Sequence, residues 1–137
     1  MPKPGRFGTH PVVFNSGRIN TGTLAAGTAN HNIGAYGTKS FLSKATVCAE
    51  VFPTAATGCT LRLVKMTGAT ALNLTDAIDI NAKTADVPIQ MPILATLSEQ
   101  ERTLNTGDSL RLAMVTTGAV SVQPDDVTVS VELLVEE

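Results

Sequence analysis

The sequence predicts an all-β protein: a single antiparallel β-sandwich, jelly-roll-like, with seven or eight strands and an extended N-terminal arm. Several segments alternate apolar and polar residues with a period of two, which is the pattern of strands buried on one face. Turn-forming residues separate these segments at intervals of about ten residues, as in sandwich proteins. The 137 residues are enough for one domain. Its core must be aliphatic, because the sequence has no Trp and one Tyr.

The clearest alternation lies near the C-terminal end of the sequence. Its apolar positions are Leu110, Leu112, Met114, Val127, Val129, Val131, Leu133 and Val135. A turn sequence, Asn-Thr-Gly-Asp, precedes them at residues 105–108. Gly tolerates positive φ there, and Asn or Asp side chains bond the local backbone. We therefore predict one strand that starts near Ser109 and another over residues 127–135.

The middle of the sequence alternates in the same way. Residues 41–52 and 59–66 each present one apolar face, and the loop between them predicts a hairpin. Residues 87–93 carry two prolines on one side, which favours an edge strand because proline cannot donate a ladder hydrogen bond. Ser98 followed by Glu101 has the form of a capping box and predicts a single helical turn.

The first forty residues have a different composition from the rest. They hold seven of the eleven glycines and three of the seven prolines. Two short apolar pieces, residues 12–14 and 19–24, could be strands, but alone they bury too little to offset their ordering entropy. They would be ordered against the sandwich, against a neighbouring subunit or on a partner. We therefore divide the chain into an N-terminal arm, residues 1–40, and a sandwich body, residues 41–137.

Charge divides the sequence at nearly the same point. Residues 1–49 contain five bases and no acid, whereas residues 50–137 contain five bases and twelve acids. A basic arm on an acidic body suggests docking to an anionic surface, although bases this dispersed could simply solubilise the arm. Direct binding of nucleic acid is disfavoured, because the bases are neither clustered nor interleaved with aromatic residues.

The first residues lack the apolar run of a signal peptide, and no window reaches the length of a membrane span. We therefore expect a protein made in a cytoplasm without a membrane partner.

Cysteine and acidic residues give no sign of a disulfide or a metal site. Reduced thiols are then expected for Cys48 and Cys59. The acids of residues 76–81 do not match a calcium loop in spacing. Asp125 and Asp126 are interpreted as solvated turn residues.

No pattern in the sequence indicates catalysis. The two histidines, His10 and His31, lie in the arm, which is a poor place to hold a general base. No nucleophile elbow or phosphate-binding glycine loop is present. We therefore expect no enzyme, no catalytic residue, no cofactor and no bound metal.

The body of the chain resembles the jelly-roll head decoration (cement) proteins of tailed bacteriophages. The segments that carry the resemblance are residues 107–112, residues 60–65 and the final valine-rich strand. The resemblance covers about two thirds of the chain. It implies a non-enzymatic virion protein on the capsid exterior. Such a protein would be a homo-oligomer, with a trimer favoured, and would clasp neighbouring subunits of the major capsid protein.

The arm supplies the residues that we expect to bind a partner. They are Lys3, Arg6, Phe7, Phe14 and Arg18. Two alternatives stay open: an accessory protein of the phage tail or neck, and a module that binds a host receptor or glycan. The second is disfavoured because sugar sites use aromatic faces, which this sequence nearly lacks.

Overall fold

The computed structural model describes residues 7–35 and 38–136, and the side chains within residues 11–35 and 38–135. The strands are β1 (Phe7–Asn15), β2 (Gly27–Gly34), β3 (Ser40–Cys48), β4 (Thr54–Ala55), β5 (Gly58–Thr67), β6 (Thr70–Asn73), β7 (Ile78–Asp79), β8 (Ile89–Gln90), β9 (Thr103–Leu104), β10 (Ser109–Thr117), β11 (Val120–Val122) and β12 (Thr128–Glu136). One short helix, α1 (Glu99–Arg102), precedes β9.

The strands form two five-stranded antiparallel sheets. Sheet I has the order β1-β12-β3-β8, with β9 also paired to β3. Sheet II has the order β2-β10-β5-β6, with β7 also paired to β5. A third, two-stranded sheet joins β4 and β11. The predicted all-β sandwich is confirmed.

The path of the chain through the sheets is that of a jelly roll. Each sheet has four strand positions when the short pairs β6/β7 and β8/β9 are counted once. Numbered along the chain, these positions run 1-8-3-6 in sheet I and 2-7-4-5 in sheet II. Consecutive strands therefore alternate between sheets over most of the chain, which produces the two Greek keys of the jelly-roll architecture.

The sandwich begins at Phe7 rather than near Phe41. β1, which contains the predicted piece 12–14, pairs with β12, and β2 pairs with β10, so these two strands are the outer strands of the two sheets. The predicted piece 19–24 is not a strand; it lies in the connection between β1 and β2, and β2 itself was not predicted. The division at residue 40 is corrected accordingly for residues 7–34. The physical reason is that each of these strands, too small to bury itself, completes a sheet whose other strands lie far away in the sequence.

The hairpin predicted over residues 41–66 is wrong. β3 pairs with β12 in sheet I, whereas β5 pairs with β10 in sheet II. The connection crosses between the sheets with Phe52 and Pro53 buried. Two adjacent alternating strands pack face to face here instead of pairing edge to edge.

The core is aliphatic, as expected. The inward positions predicted for the last long strands are confirmed, because Leu110, Leu112, Met114 and the three residues Val129, Val131 and Leu133 are at most 1% exposed. A register shift between Glu132 and Leu133 ends the regular alternation, and Val135 is only half-buried.

The features predicted from short stretches of the sequence are also confirmed. β10 starts at Ser109 after the predicted turn. Glu101 N donates to Ser98 Oγ at 3.1 Å and Ser98 N donates to Glu101 Oε1 at 2.9 Å, which completes the capping box. β8, beside the prolines, lies at an edge of sheet I.

The two thiols lie in different sheets. Cys48 ends β3 in sheet I and Cys59 is buried in β5 of sheet II, and both are free. Burial raises the pKa of the Cys59 thiol, so this side chain behaves as a small apolar residue of the core.

Candidate functional site

A concave region with several polar side chains is built around the connection between β1 and β2. We call residues 16–24 of this connection the crossing segment, because the connection passes from sheet I to sheet II. Backbone hydrogen bonds hold its first part, with Ser16 N to Val129 O at 2.9 Å and Ile19 N to Val127 O at 2.8 Å. Leu24 N donates to Gln123 Oε1 at 2.7 Å and holds the other end. Buried Ile19 and Leu24 therefore fix a glycine-rich stretch to the sandwich.

Arg18 projects from the crossing segment beside Asp126. The two side chains form an ion pair in which Arg18 remains 75% exposed and Asp126 is 24% exposed. The sequence places them 108 positions apart (126 minus 18). The interpretation of Asp126 as merely solvated is therefore corrected: it is held against a guanidinium group.

Three carboxylates gather at the same place. Glu50, Asp125 and Asp126 each offer an oxygen, and these atoms lie within 4.8 Å of one another. A hydrogen bond with Asp126, together with the negative charge of Asp126 and of the neighbouring aspartates, raises the pKa of the Glu50 carboxyl. Clustered carboxylates can ligate hard cations in general. Here the guanidinium of Arg18, in the same chain, pairs with Asp126 and offsets part of the negative charge of the cluster.

Two grooves flank Arg18. One has a volume of about 340 Å³ and lies between the crossing segment and β2. The other has a volume of about 210 Å³ and lies between the crossing segment and residues 124–126. The lining of the larger groove is Ser16, Arg18, Ile19, Asn20, Asn30, His31, Asn32 and Ile33. Amides, a hydroxyl, an imidazole and a guanidinium thus line a surface suited to hydrogen bonding with a polar segment of a partner.

His31 contributes an unsatisfied nitrogen to this region. Its Nε2 atom is buried and has no hydrogen-bond partner in the described part of the chain. Burial lowers the pKa of the imidazole, which favours the neutral form. The nearby Ser16 hydroxyl is engaged elsewhere, because it donates to Gly17 O at 2.8 Å and accepts from Val129 N at 2.9 Å.

The predicted partner-binding residues have separate positions. Lys3 and Arg6 lie outside the described residues. Phe7 starts β1, and its side chain also lies outside the description. Phe14 packs on the core, and its ring is 3.4 Å from the place that a Cβ on Gly34 would occupy. Of Phe14 and Arg18, the two whose side chains are described, Arg18 lies at the grooves.

Sequence reasoning missed Glu50, Asp126, His31 and the asparagines of β2 as members of one region. No local signal could have joined them. The jelly-roll path brings residues near positions 18, 31, 50 and 126 together, and these positions belong to four separate stretches of the sequence.

Comparison with known proteins finds a distant structural similarity. No family model matches the chain, and no curated protein matches it. Among solved structures, a chain in the structure of infectious bursal disease virus, Gx strain, is similar with a TM-score of 0.41 and 15% sequence identity. The similarity covers 92% of this chain but only 32% of that chain, so our chain spans about a third of its length. Within the described residues, no helix has the length and apolar character needed to cross a membrane.

Proposed function

We propose that this chain is a non-enzymatic structural protein of a virus particle, a decoration or cement protein bound to the exterior of a bacteriophage head between subunits of the major capsid protein. The observation that carries the proposal is the jelly-roll strand order of a small sandwich filled with aliphatic side chains.

The chemistry of the described residues supports a binding role. The buried Cys59 thiol has a raised pKa, which disfavours the nucleophilic thiolate. The Ser16 hydroxyl donates to a backbone carbonyl instead of to a general base. The grooves beside Arg18 are lined by both polar and apolar side chains, as a surface for a protein partner is.

Arg18 is the described residue that we assign to capsid contact. Its guanidinium is largely exposed although it is paired with Asp126, so it can share a second carboxylate from a partner. A planar guanidinium with several donors suits such bridging. Lys3 and Arg6 stay predicted contacts on the same N-terminal segment.

Co-sedimentation with empty shells of the major capsid protein encoded with this chain tests the proposal. We expect the full-length protein to sediment with the shells and Arg18→Ala to bind about tenfold more weakly, since one charge-assisted hydrogen bond contributes roughly 1.5 kcal/mol. Lys83→Ala is the matched control, because Lys83 is also an exposed base paired with an acid, Asp79, in its own chain.

The outcomes separate the alternatives. Equal binding by Arg18→Ala and Lys83→Ala would remove Arg18 from the contact but leave the decoration role. If the full-length protein does not sediment with shells at all, the decoration proposal fails, and binding to isolated tails or to a glycan array becomes the next measurement.

A further inference from the structure

In the part of the chain that the structure describes, three of the four sheet edges of the sandwich are protected against pairing with another strand. The edge formed by β6 and β7 is split into pieces of four and two residues. The edge formed by β8 and β9 consists of two two-residue pieces, with prolines flanking β8. β1 carries Pro11 and a register shift between Phe7 and Pro11. Short strands, prolines and bulges are the usual means of blocking edge-to-edge association.

β2 has none of this protection over most of its length. It is the outer strand of sheet II, and no strand among the described residues pairs with its free side. Six consecutive residues, from Gly27 to Asn32, pair regularly with β10, and the one register shift falls beyond them. These residues include no proline and no charged group. An edge of this kind is a template for an added strand.

We infer that β2 pairs antiparallel with β2 of a second copy of this chain, about a two-fold axis at Asn30. The pairing would join the two copies of sheet II into one continuous sheet. This inference does not depend on the proposed function, and it goes beyond that proposal by assigning a surface for self-association. It gives a two-fold dimer in place of the trimer that the resemblance implied.

The register follows from sheet geometry. Directly opposite residues in an antiparallel pair point to the same face of the sheet, so a two-fold axis between identical strands must pass through a residue. Asn30 lies within the regularly paired residues 27–32. An axis there pairs the five residues 28–32 and permits about four to six backbone hydrogen bonds.

The side chains that meet in this register are compatible with one another. Asn30 faces Asn30 of the second copy, and Thr28 faces Asn32; all three side chains are exposed in the single chain. On the inner side, Ala29 faces His31. No like charges oppose each other, and polar Thr and Asn side chains can exchange hydrogen bonds across the pair. An isologous contact requires this kind of self-complementarity.

A second copy of the chain also suits the surroundings of β2. The groove of about 340 Å³ borders this edge and includes Asn30, His31 and Asn32 in its lining. The orphaned His31 Nε2 lies on the side of β2 that turns toward the sandwich interior, next to the proposed junction. A neutral strand of a second copy covers this edge without bringing a charge against an imidazole that burial keeps neutral.

Cysteine cross-linking of the full-length protein tests the register. In a Cys48→Ser background, which removes the half-exposed native thiol, Asn30→Cys should form a disulfide-linked dimer with oxidised glutathione. Opposite Cα atoms in antiparallel strands are about 4.5–5.5 Å apart, within the range that a disulfide spans. Asn73→Cys is the matched control, an exposed asparagine on the opposite edge of the same sheet, and should stay uncrosslinked.

Light scattering on charge variants tests the same register independently. Wild-type protein should have twice the 14.3 kDa mass of the chain. Thr28→Lys with Asn32→Lys places lysine opposite lysine in the pair and should give single chains. Thr28→Lys with Asn32→Glu places lysine opposite glutamate and should keep the dimer. Both double variants change exposed side chains only.

Several results would overturn the inference. A wild-type mass of one or three chains at about 100 µM, the protein concentration roughly a hundredfold above a micromolar Kd, would do so. Equal cross-linking at positions 30 and 73 would also contradict it, as would dissociation of both double variants. A protein that fails these tests but binds shells would leave the proposed function standing. A protein that forms the dimer but does not bind shells would support the β2 pairing and contradict the proposed function.

Discussion

His31, which lines the groove beside the crossing segment, makes the stability of the fold depend on pH. His31 lies on the inner side of the outer strand β2, and burial lowers the pKa of its imidazole from the usual 6.5. The unfolded chain therefore takes up this proton at higher pH than the folded chain does. The stability that depends on neutral His31 is complete above about pH 6.5 and is lost as the pH falls from there through the lower folded-state pKa.

We predict that His31→Gln reduces this loss. Glutamine keeps a polar side chain of similar length but does not titrate. The wild-type melting temperature should fall more than that of His31→Gln between pH 7 and pH 5, as measured by circular dichroism. Parallel pH profiles for the two proteins would show that His31 does not titrate differently in the folded state.

A second prediction at the residue scale concerns Gly118, which follows β10. Its φ is +84°, and an added Cβ would lie 2.9 Å from the Ala56 Cβ. Gly118→Ala should therefore lower the free energy of unfolding by about 2 kcal/mol or more, from left-handed backbone strain and a steric clash together.

The control for this substitution is Gly68→Ala. Gly68 has a φ of +60° but open space where the Cβ would be, so only the backbone strain of about 1 kcal/mol applies. Urea unfolding of both variants separates the two contributions. A larger loss for Gly68→Ala than for Gly118→Ala would contradict the close approach of Gly118 to Ala56.

At the scale of elements, the helix α1 depends on its cap. Four residues are too few for a helix to be stable on its own, and reciprocal hydrogen bonds between Ser98 and Glu101 hold its first turn. At its other end, Lys65 Nζ donates to Thr103 O at 3.0 Å. The helix thus positions the short edge strand β9 against β3.

Ser98→Ala should cost about 1 kcal/mol of stability, the usual value for loss of an N-cap side chain. Thr96→Ala is the control, because Thr96 is exposed and precedes the cap; it should change stability by less than about 0.5 kcal/mol. Chemical denaturation measures both. If the two variants are equally stable, the capping box does not contribute.

Elements with local signals could be predicted from the sequence, and their partners could not. The turn at residues 105–108, the strand from Ser109 and the capping box each depend on a few adjacent residues. The predicted hairpin failed because alternation reveals that a strand has a buried face but not which strand lies beside it. For β3 that neighbour is β12, about ninety residues away along the chain.

At the scale of the whole molecule, the two ends of the described chain close the sandwich together. β1 pairs with β12, and β2 pairs with β10. The glycine-rich composition of residues 1–40 disguised these strands, since their stability comes from distant partners instead of from their own apolar content. The pairing of Arg18 with Asp126 was hidden for the same reason.

Removal of residues 1–15 distinguishes a strand from an arm. Loss of β1 leaves β12 as an unpaired edge and uncovers the core beneath Phe14. We expect the free energy of unfolding to fall by about 3 kcal/mol or more, from lost burial of Val12 and Phe14. Unchanged stability would mean that residues 7–15 behave as an independent arm.

The most direct test of the proposed role is electron cryomicroscopy of shells of the major capsid protein incubated with the full-length protein. We predict additional density on the outer surface at junctions between capsid subunits, into which the two-sheet jelly roll fits with the β1 and Arg18 side toward the shell. Shells whose outer surface shows no added density, although the protein is folded and in excess, would contradict the account.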